Sequence, residues 1–231
     1  METRQMETRE QARDTILREL MSEDGDVRAE YIKHFQSEMR EFAEAMAETV
    51  FAWRMIDVEV KGDERRAVVS NLVYAAFTLH IISFKLFVAG LIVPAGNIFR
   101  QVVESIAVAL LCSGKDLTVL ERFMNDQYSP NHAVRDVVRH AEKLQLRKDG
   151  LAALESAQSF YHKYSHITRL TLATMISFSE EGAYVGASFD EGKLDAYRKE
   201  IKSRLGLASV FPNFIAAVRA NLGKWPTSNR H

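Results

Sequence analysis

Tyr31, Phe35, Met39, Phe42, Met46 and Val50, with Phe51 beside the last, recur three or four residues apart through a stretch, 27–60, that holds neither glycine nor proline. Only a helix gathers such positions onto one face. Eleven glycines and four prolines in 231 residues leave few of the turn residues that a fold of many short strands needs. A hydrophobic content of 47%, with 10% aromatic residues, is ample for a core. The expected fold is therefore all-α, a multi-helix bundle with long helices. Only residues 177–190, with Gly182, Gly186 and an apolar alternation at Tyr184/Val185 and Phe189, read as a loop or small hairpin.

Punctuation residues divide the chain further. Residues 8–22 form a first helix and 27–60 a second. Asp63 is placed to cap a third, running to about Leu91. Pro94-Ala95-Gly96 reads as the next turn, with Asn97 capping a fourth helix to about Cys112. A short helix follows over 115–128, another from Ser129-Pro130 to about Leu146, a long one over Leu151–Ile176, and two more over 191–205 and 207–222. This gives an acidic N-terminal helical region (1–60), a main bundle (61–222) and a disordered tail (223–231), one domain overall. The duplicated Met-Glu-Thr-Arg at 1–4 and 6–9 reads as an alternative start at Met6.

Net charge is −1, but residues 1–60 carry 15 Asp/Glu against 8 Lys/Arg, and residues 191–231 carry 3 against 8. Such ends complement each other within the fold or across a homodimer, or else the basic end offers a surface to RNA. Cys112, the sole cysteine, rules out an internal disulfide and a cysteine-based zinc site, and its apolar neighbours mark it as a buried thiol. Asn71–Val93 is long and apolar, yet His80 and Lys85 near its middle are costly in lipid. It reads as a buried bundle helix with an acid partner for Lys85, so no membrane contact is expected. The charged N-terminus has no apolar signal core, and a cytoplasmic protein is the expectation.

Candidate chemistry concentrates in Tyr161–Arg169. At about 100° per residue, a helix would place His162, Ser165, His166 and Arg169 within an arc of about 100°. Two imidazoles, a hydroxyl and a guanidinium supply acid, base and anion-binding groups, with Tyr161 and Tyr164 as aromatic walls. Arg100 and Glu104 form a second constellation, four apart on a helix apolar almost all round, and are expected to be a buried pair at the ligand site or in the scaffold. His162 and His166 also have the spacing of two metal ligands. With His34, His80 or His140 as a third they would be similar to the three-histidine site of DinB-like helical bundles, making a divalent metal the alternative to no cofactor.

Arg135-Asp136-Val137-Val138-Arg139-His140 resembles the motif of the HEPN superfamily of helical bundles, an Arg, often followed by Asn, Asp or His, with a His four to six residues further on. The resemblance implies metal-independent RNA cleavage, commonly across a dimer interface, in which His140 deprotonates a ribose hydroxyl and Arg135 stabilises charge on the phosphate. The order of Arg100/Glu104, then Tyr161, Tyr164, Ser165 and His166, then Tyr197, Arg198, Lys202 and Arg204 resembles an uncharacterised family of bacterial helical proteins linked to HEPN-like bundles. It spans roughly residues 95–205 and implies a fold but no assigned reaction. The functional expectation is RNA binding or cleavage in bacterial defence or stress response, with His166 and the Arg135/His140 pair as rival catalytic groups. The alternatives are a bundle that binds a small ligand or a partner protein, and a metal-binding bundle.

Overall fold

Asp63 accepts the Arg66 amide at 3.1 Å and opens a helix that ends at Val88; the chain then reverses at Gly90, whose φ is +79°. A Cβ there would lie 2.7 Å from the Ser188 backbone, so only glycine fits. A computed structural model describes residues 8–179 and 181–226 and is all-α among them. The helices are α1 (Arg9–Met21), α2 (Gly25–Glu59), α3 (Glu64–Val88), α4 (Ile92–Ser113), α5 (Val119–Met124), α6 (Ala133–Arg139), α7 (Lys148–Tyr161), α8 (Arg169–Met175) and α9 (Leu194–Leu222).

Helix α4 is the axis of the bundle. Every residue from Ile106 to Ser113 is buried, and α3, α5, α6, α7, α8 and α9 all pack on it. Helices α2 and α9 lie against each other and α3 closes the layer, with an Arg219–Glu59 ion pair joining the basic C-terminal helix to the acidic N-terminal one. Burial pushes the Cys112 thiol up to about 12. Of the apolar positions in α2, Tyr31, Phe35, Phe42 and Met46 are buried, whereas Phe51 is exposed.

Several boundaries differ from the sequence reading, among them the short helix expected over 115–128, which covers only Val119–Met124. Because the reversal occurs at Gly90, Pro94 falls in the first turn of α4, where its missing N–H has no intrahelical partner to lose. Gly96 is then a helix residue rather than a turn. The expected helix over 130–146 stops at Arg139, and the expected helix over 151–176 breaks at His162–Thr168. Conversely, the break expected at Gly206 does not occur, because the buried stripe Ile201, Arg204, Ala208, Phe211 and Ile215 runs through it and packing overrides propensity.

The 177–190 segment is a loop with one antiparallel bridge, Ile176 to Ala183. Asp190 fixes it by accepting the Phe178 and Gly192 amides at 2.7 and 2.9 Å and the Ser179 hydroxyl. Gly223–Pro226, expected to begin a disordered tail, is held in place. The Trp225 indole donates to the Ser113 carbonyl at 2.8 Å, and Arg66 donates to the Trp225 carbonyl at 3.2 Å. The rest of that tail, 227–231, and most of the N-terminal duplication lie outside the described residues.

The exclusion of a membrane is overturned. Among the described residues three helices, Glu64–Val88, Ile92–Ser113 and Glu191–Leu222, are long and apolar enough to cross one, by length and composition. His80 is enclosed by protein, as a bundle helix requires, whereas Lys85 sits exposed on α3 and is not the buried lysine for which an acid partner was expected.

Candidate functional site

Helix α7 gives way at Tyr161 to a 3₁₀ turn, His162–Ser165, and then to extended backbone at His166 (φ −136°, ψ 158°). Thr168 starts α8 by capping the Thr171 amide at 3.3 Å, with the Thr171 hydroxyl accepting the Thr168 amide in return, so a fresh helix start competes with continuation of the old one. In a 3₁₀ turn residues three apart eclipse. Tyr161 and Tyr164 accordingly point inward together, both buried, while His162 and Ser165 face outward.

The outward side meets α4. Arg100 spreads its guanidinium over three partners: Nε donates to Glu104 at 2.9 Å, one terminal nitrogen to Ser165 Oγ at 2.9 Å, and the other to Asn131 Oδ1 at 3.0 Å. Ser165 in turn donates to Asn97 Oδ1 at 2.9 Å. The His162 and His166 rings stand edge to face with centroids 4.6 Å apart. These two imidazoles, Arg100 and Arg135 line one open cleft of about 780 Å³, with Asn131, Glu155, Gln158 and Ser159 among its other polar groups.

This answers the sequence expectations one by one. Arg100 and His162/His166, distant in sequence, share a cleft. The Arg100–Glu104 pair is not fully buried: the two side chains are 18% and 13% exposed, because the pair sits where the apolar α4 surface meets the cleft. Arg169 is exposed and does not line the cleft, since the break before α8 carries it off the face an unbroken helix would have given it. Tyr161 and Tyr164 do not line it either. Of the HEPN-like motif, Arg135 reaches the cleft and His140 does not, for α6 ends at Arg139 and the His140 amide closes that end on the Asp136 carbonyl at 3.0 Å. The three-histidine metal site is not assembled: among the described residues no three His, Cys, Asp or Glu side chains gather around a common point. His34 stacks on Phe189 and His80 is sealed in the core.

Beneath the turn lies a group that the sequence reading missed. The Glu200 carboxylate accepts the Tyr161 hydroxyl at 3.0 Å on one oxygen and the Tyr164 hydroxyl at 2.9 Å on the other, and it pairs with Arg204 at 2.6 Å. Arg204 is 1% exposed, its guanidinium 4.6 Å from the Phe87 ring centroid and 5.3 Å from that of Phe99. The Arg204 carbonyl accepts His80 Nε2–H at 3.0 Å, which fixes the neutral tautomer; burial pulls the His80 pKa down to about 3. Burial also raises both tyrosine hydroxyls above their usual range. A signal for this group existed: Arg204 falls on the stripe Tyr197, Ile201, Ala208, Phe211. Gly96 belongs to it too, because a Cβ there would lie 2.4 Å from the Tyr164 ring.

Helix α7 is a partition. Its opposite face, with Leu154, Ala157 and Tyr161, forms one wall of an apolar groove of about 860 Å³ floored by Phe99, Val103 and Ile106 and walled on the far side by Leu207, Phe211 and Phe214 of α9. Comparison with protein-family profiles, with curated proteins and with solved structures returns no match.

Proposed function

We propose that this protein binds a phosphate-bearing ligand, RNA foremost, in the cleft between α4, α6 and α7. The observation that carries the reading is the meeting of Arg100 and Arg135 with the His162/His166 pair in one open cleft. Guanidinium groups match phosphate oxygens with a planar fork of donors. Arg100 is held by Glu104, Ser165 and Asn131, so little side-chain entropy remains to be lost when a ligand arrives. Asn131, Gln158, Ser159 and Glu155 offer donors and acceptors for ribose hydroxyls.

Metal-independent cleavage is the further step of the same reading. One imidazole takes the proton of a ribose 2′-hydroxyl as its oxygen attacks phosphorus, the other protonates the departing 5′-oxygen, and an arginine balances charge on the phosphate. Of the two rival histidines expected for RNA, this reading takes His166, with His162 beside it, and leaves out His140, while Arg135 keeps its place. Fluorescence anisotropy with a labelled single-stranded RNA tests binding. We expect an affinity that falls with salt, drops at least tenfold in Arg100→Ala, and survives in His140→Ala. Unchanged affinity in Arg100→Ala rejects the cleft. Products ending in 2′,3′-cyclic phosphate, formed in chelator and absent in His166→Ala, would establish cleavage.

The apolar groove supports a second reading, a bundle that binds an apolar small molecule, because its walls are aromatic and aliphatic and few polar groups reach it. Binding of an environment-sensitive naphthalene dye that is abolished by Ala157→Trp, while RNA affinity is retained, would favour it.

A further inference from the structure

We infer that Glu200 is the positioning residue of the cleft, acting through Tyr161 and Tyr164 to fix the turn that carries His162 and Ser165. The inference rests on the reading of that cleft as the ligand site. Glu200 does not itself line the cleft. Its two oxygens instead hold Tyr161, the last residue of α7, and Tyr164, inside the 3₁₀ turn that follows, at 3.0 and 2.9 Å. A segment of three or four residues has poor hydrogen-bond geometry of its own, so its conformation depends on what its side chains grip. Here the inward pair is gripped by one carboxylate, and Tyr164 is pressed onto Gly96 of α4. The outward pair presents His162 to the cleft and Ser165 to Arg100. Rotation of the turn would therefore move an imidazole and loosen one of the three bonds that hold the guanidinium.

The arrangement is more than core packing. A phenylalanine at 161 and at 164 would fill the same space and stack as well; the hydroxyls, each bound to a different oxygen of one acid, add an orientation that packing alone does not specify. Arg204 completes the device by pairing with the buried carboxylate at 2.6 Å, on the oxygen that also accepts the Tyr161 hydroxyl.

The test uses the Tyr161→Phe/Tyr164→Phe double variant, which leaves the Glu200–Arg204 pair intact, alongside Glu200→Gln. Two readouts are taken on each: the imidazole proton and carbon resonances of His162, and anisotropy with labelled single-stranded RNA. We expect the His162 resonances to move in both variants and RNA affinity to fall about three- to tenfold in the double variant, with a well-dispersed spectrum showing that it is folded. A merely structural role would lower the melting temperature while leaving the His162 resonances and RNA affinity at wild-type values, and that result overturns the inference. Should the wild-type protein bind no RNA, the reading of the cleft fails on its own. The His162 resonances then still decide: moved, Glu200 sets the turn; unmoved in a folded double variant, it does not.

Discussion

Among the described residues two arginine–glutamate ion pairs span four positions of a helix, Arg100–Glu104 on α4 and Glu200–Arg204 on α9, and they do different work. Helix α4 is the more apolar and more buried, yet its pair stays 18% and 13% exposed and faces a cleft. The pair on the more polar α9 is sealed, with Arg204 at 1% exposure. Order along the helix contributes, since Glu before Arg suits the helix dipole and Arg before Glu does not. The larger difference is what surrounds each guanidinium. Arg100 reaches outward to Ser165 and Asn131, side chains at the rim, whereas Arg204 lies between Phe87 and Phe99 with its carboxylate shared by two phenols. A buried ion pair is retained at a cost in desolvation and fixes geometry; a half-buried one keeps donors free to meet a ligand.

The sharpest way to break this comparison is to remove one member of the buried pair. Arg204→Ala should cost about 3–5 kcal/mol in denaturant melts, because it leaves the Glu200 carboxylate buried without its cation. A loss below about 1 kcal/mol would put the two pairs in the same class.

The acid limb of stability sharpens it next. His80 is neutral when folded, its pKa near 3 through burial, whereas the unfolded chain takes up the proton near the ordinary value of about 6.5. Its contribution is thus fully present above about pH 6.5 and is lost as pH falls from there towards 3. The slope approaches about 1.4 kcal/mol per pH unit. Melts at pH 6.5 and 4.5 should differ by roughly 2 kcal/mol more in the wild-type protein than in His80→Phe; equal differences would show that the ring is not sealed beside Arg204.

At the cleft the order of effects reverses. Arg100→Ala should cost only about 1–1.5 kcal/mol in stability, the net worth of its hydrogen bonds at a partly wet site, yet abolish most RNA affinity. A loss as large as that of Arg204→Ala would make Arg100 scaffold. The smallest stability effect belongs to Arg135→Ala, within about 0.5 kcal/mol since its side chain is 57% exposed, again with weakened RNA binding. Wild-type affinity in that variant would restrict the anion site to Arg100.

The fold was legible because helical periodicity is written locally. Tyr31 to Met46 announce the buried face of α2, and Asp63 caps α3 as its position implies. The candidate site was legible in part: Arg100, Arg135, His162 and His166 could be picked out by type and spacing. Their company could not, since a face drawn on an unbroken helix admits Arg169 and assumes that the tyrosines are walls. The break at His162–Thr168 arises because the Thr168 cap and the inward grip on Tyr161 and Tyr164 together outweigh one more turn of helix.

Sequence alone determined the helical class, the extent of α1, α2 and α3, the buried thiol at Cys112 and the residue types from which a site is built, because each depends on the residue and its near neighbours. Tertiary structure alone decided that Gly96 admits an aromatic ring, that Gly206 does not end a helix, that His140 is left out of the cleft, and that Glu200 binds two phenols from a segment 36 and 39 residues away. Those outcomes turn on which surfaces meet once helices pack. The hydrogen-bonding demand of a buried charge is met by whichever partners that packing delivers, wherever they lie along the chain.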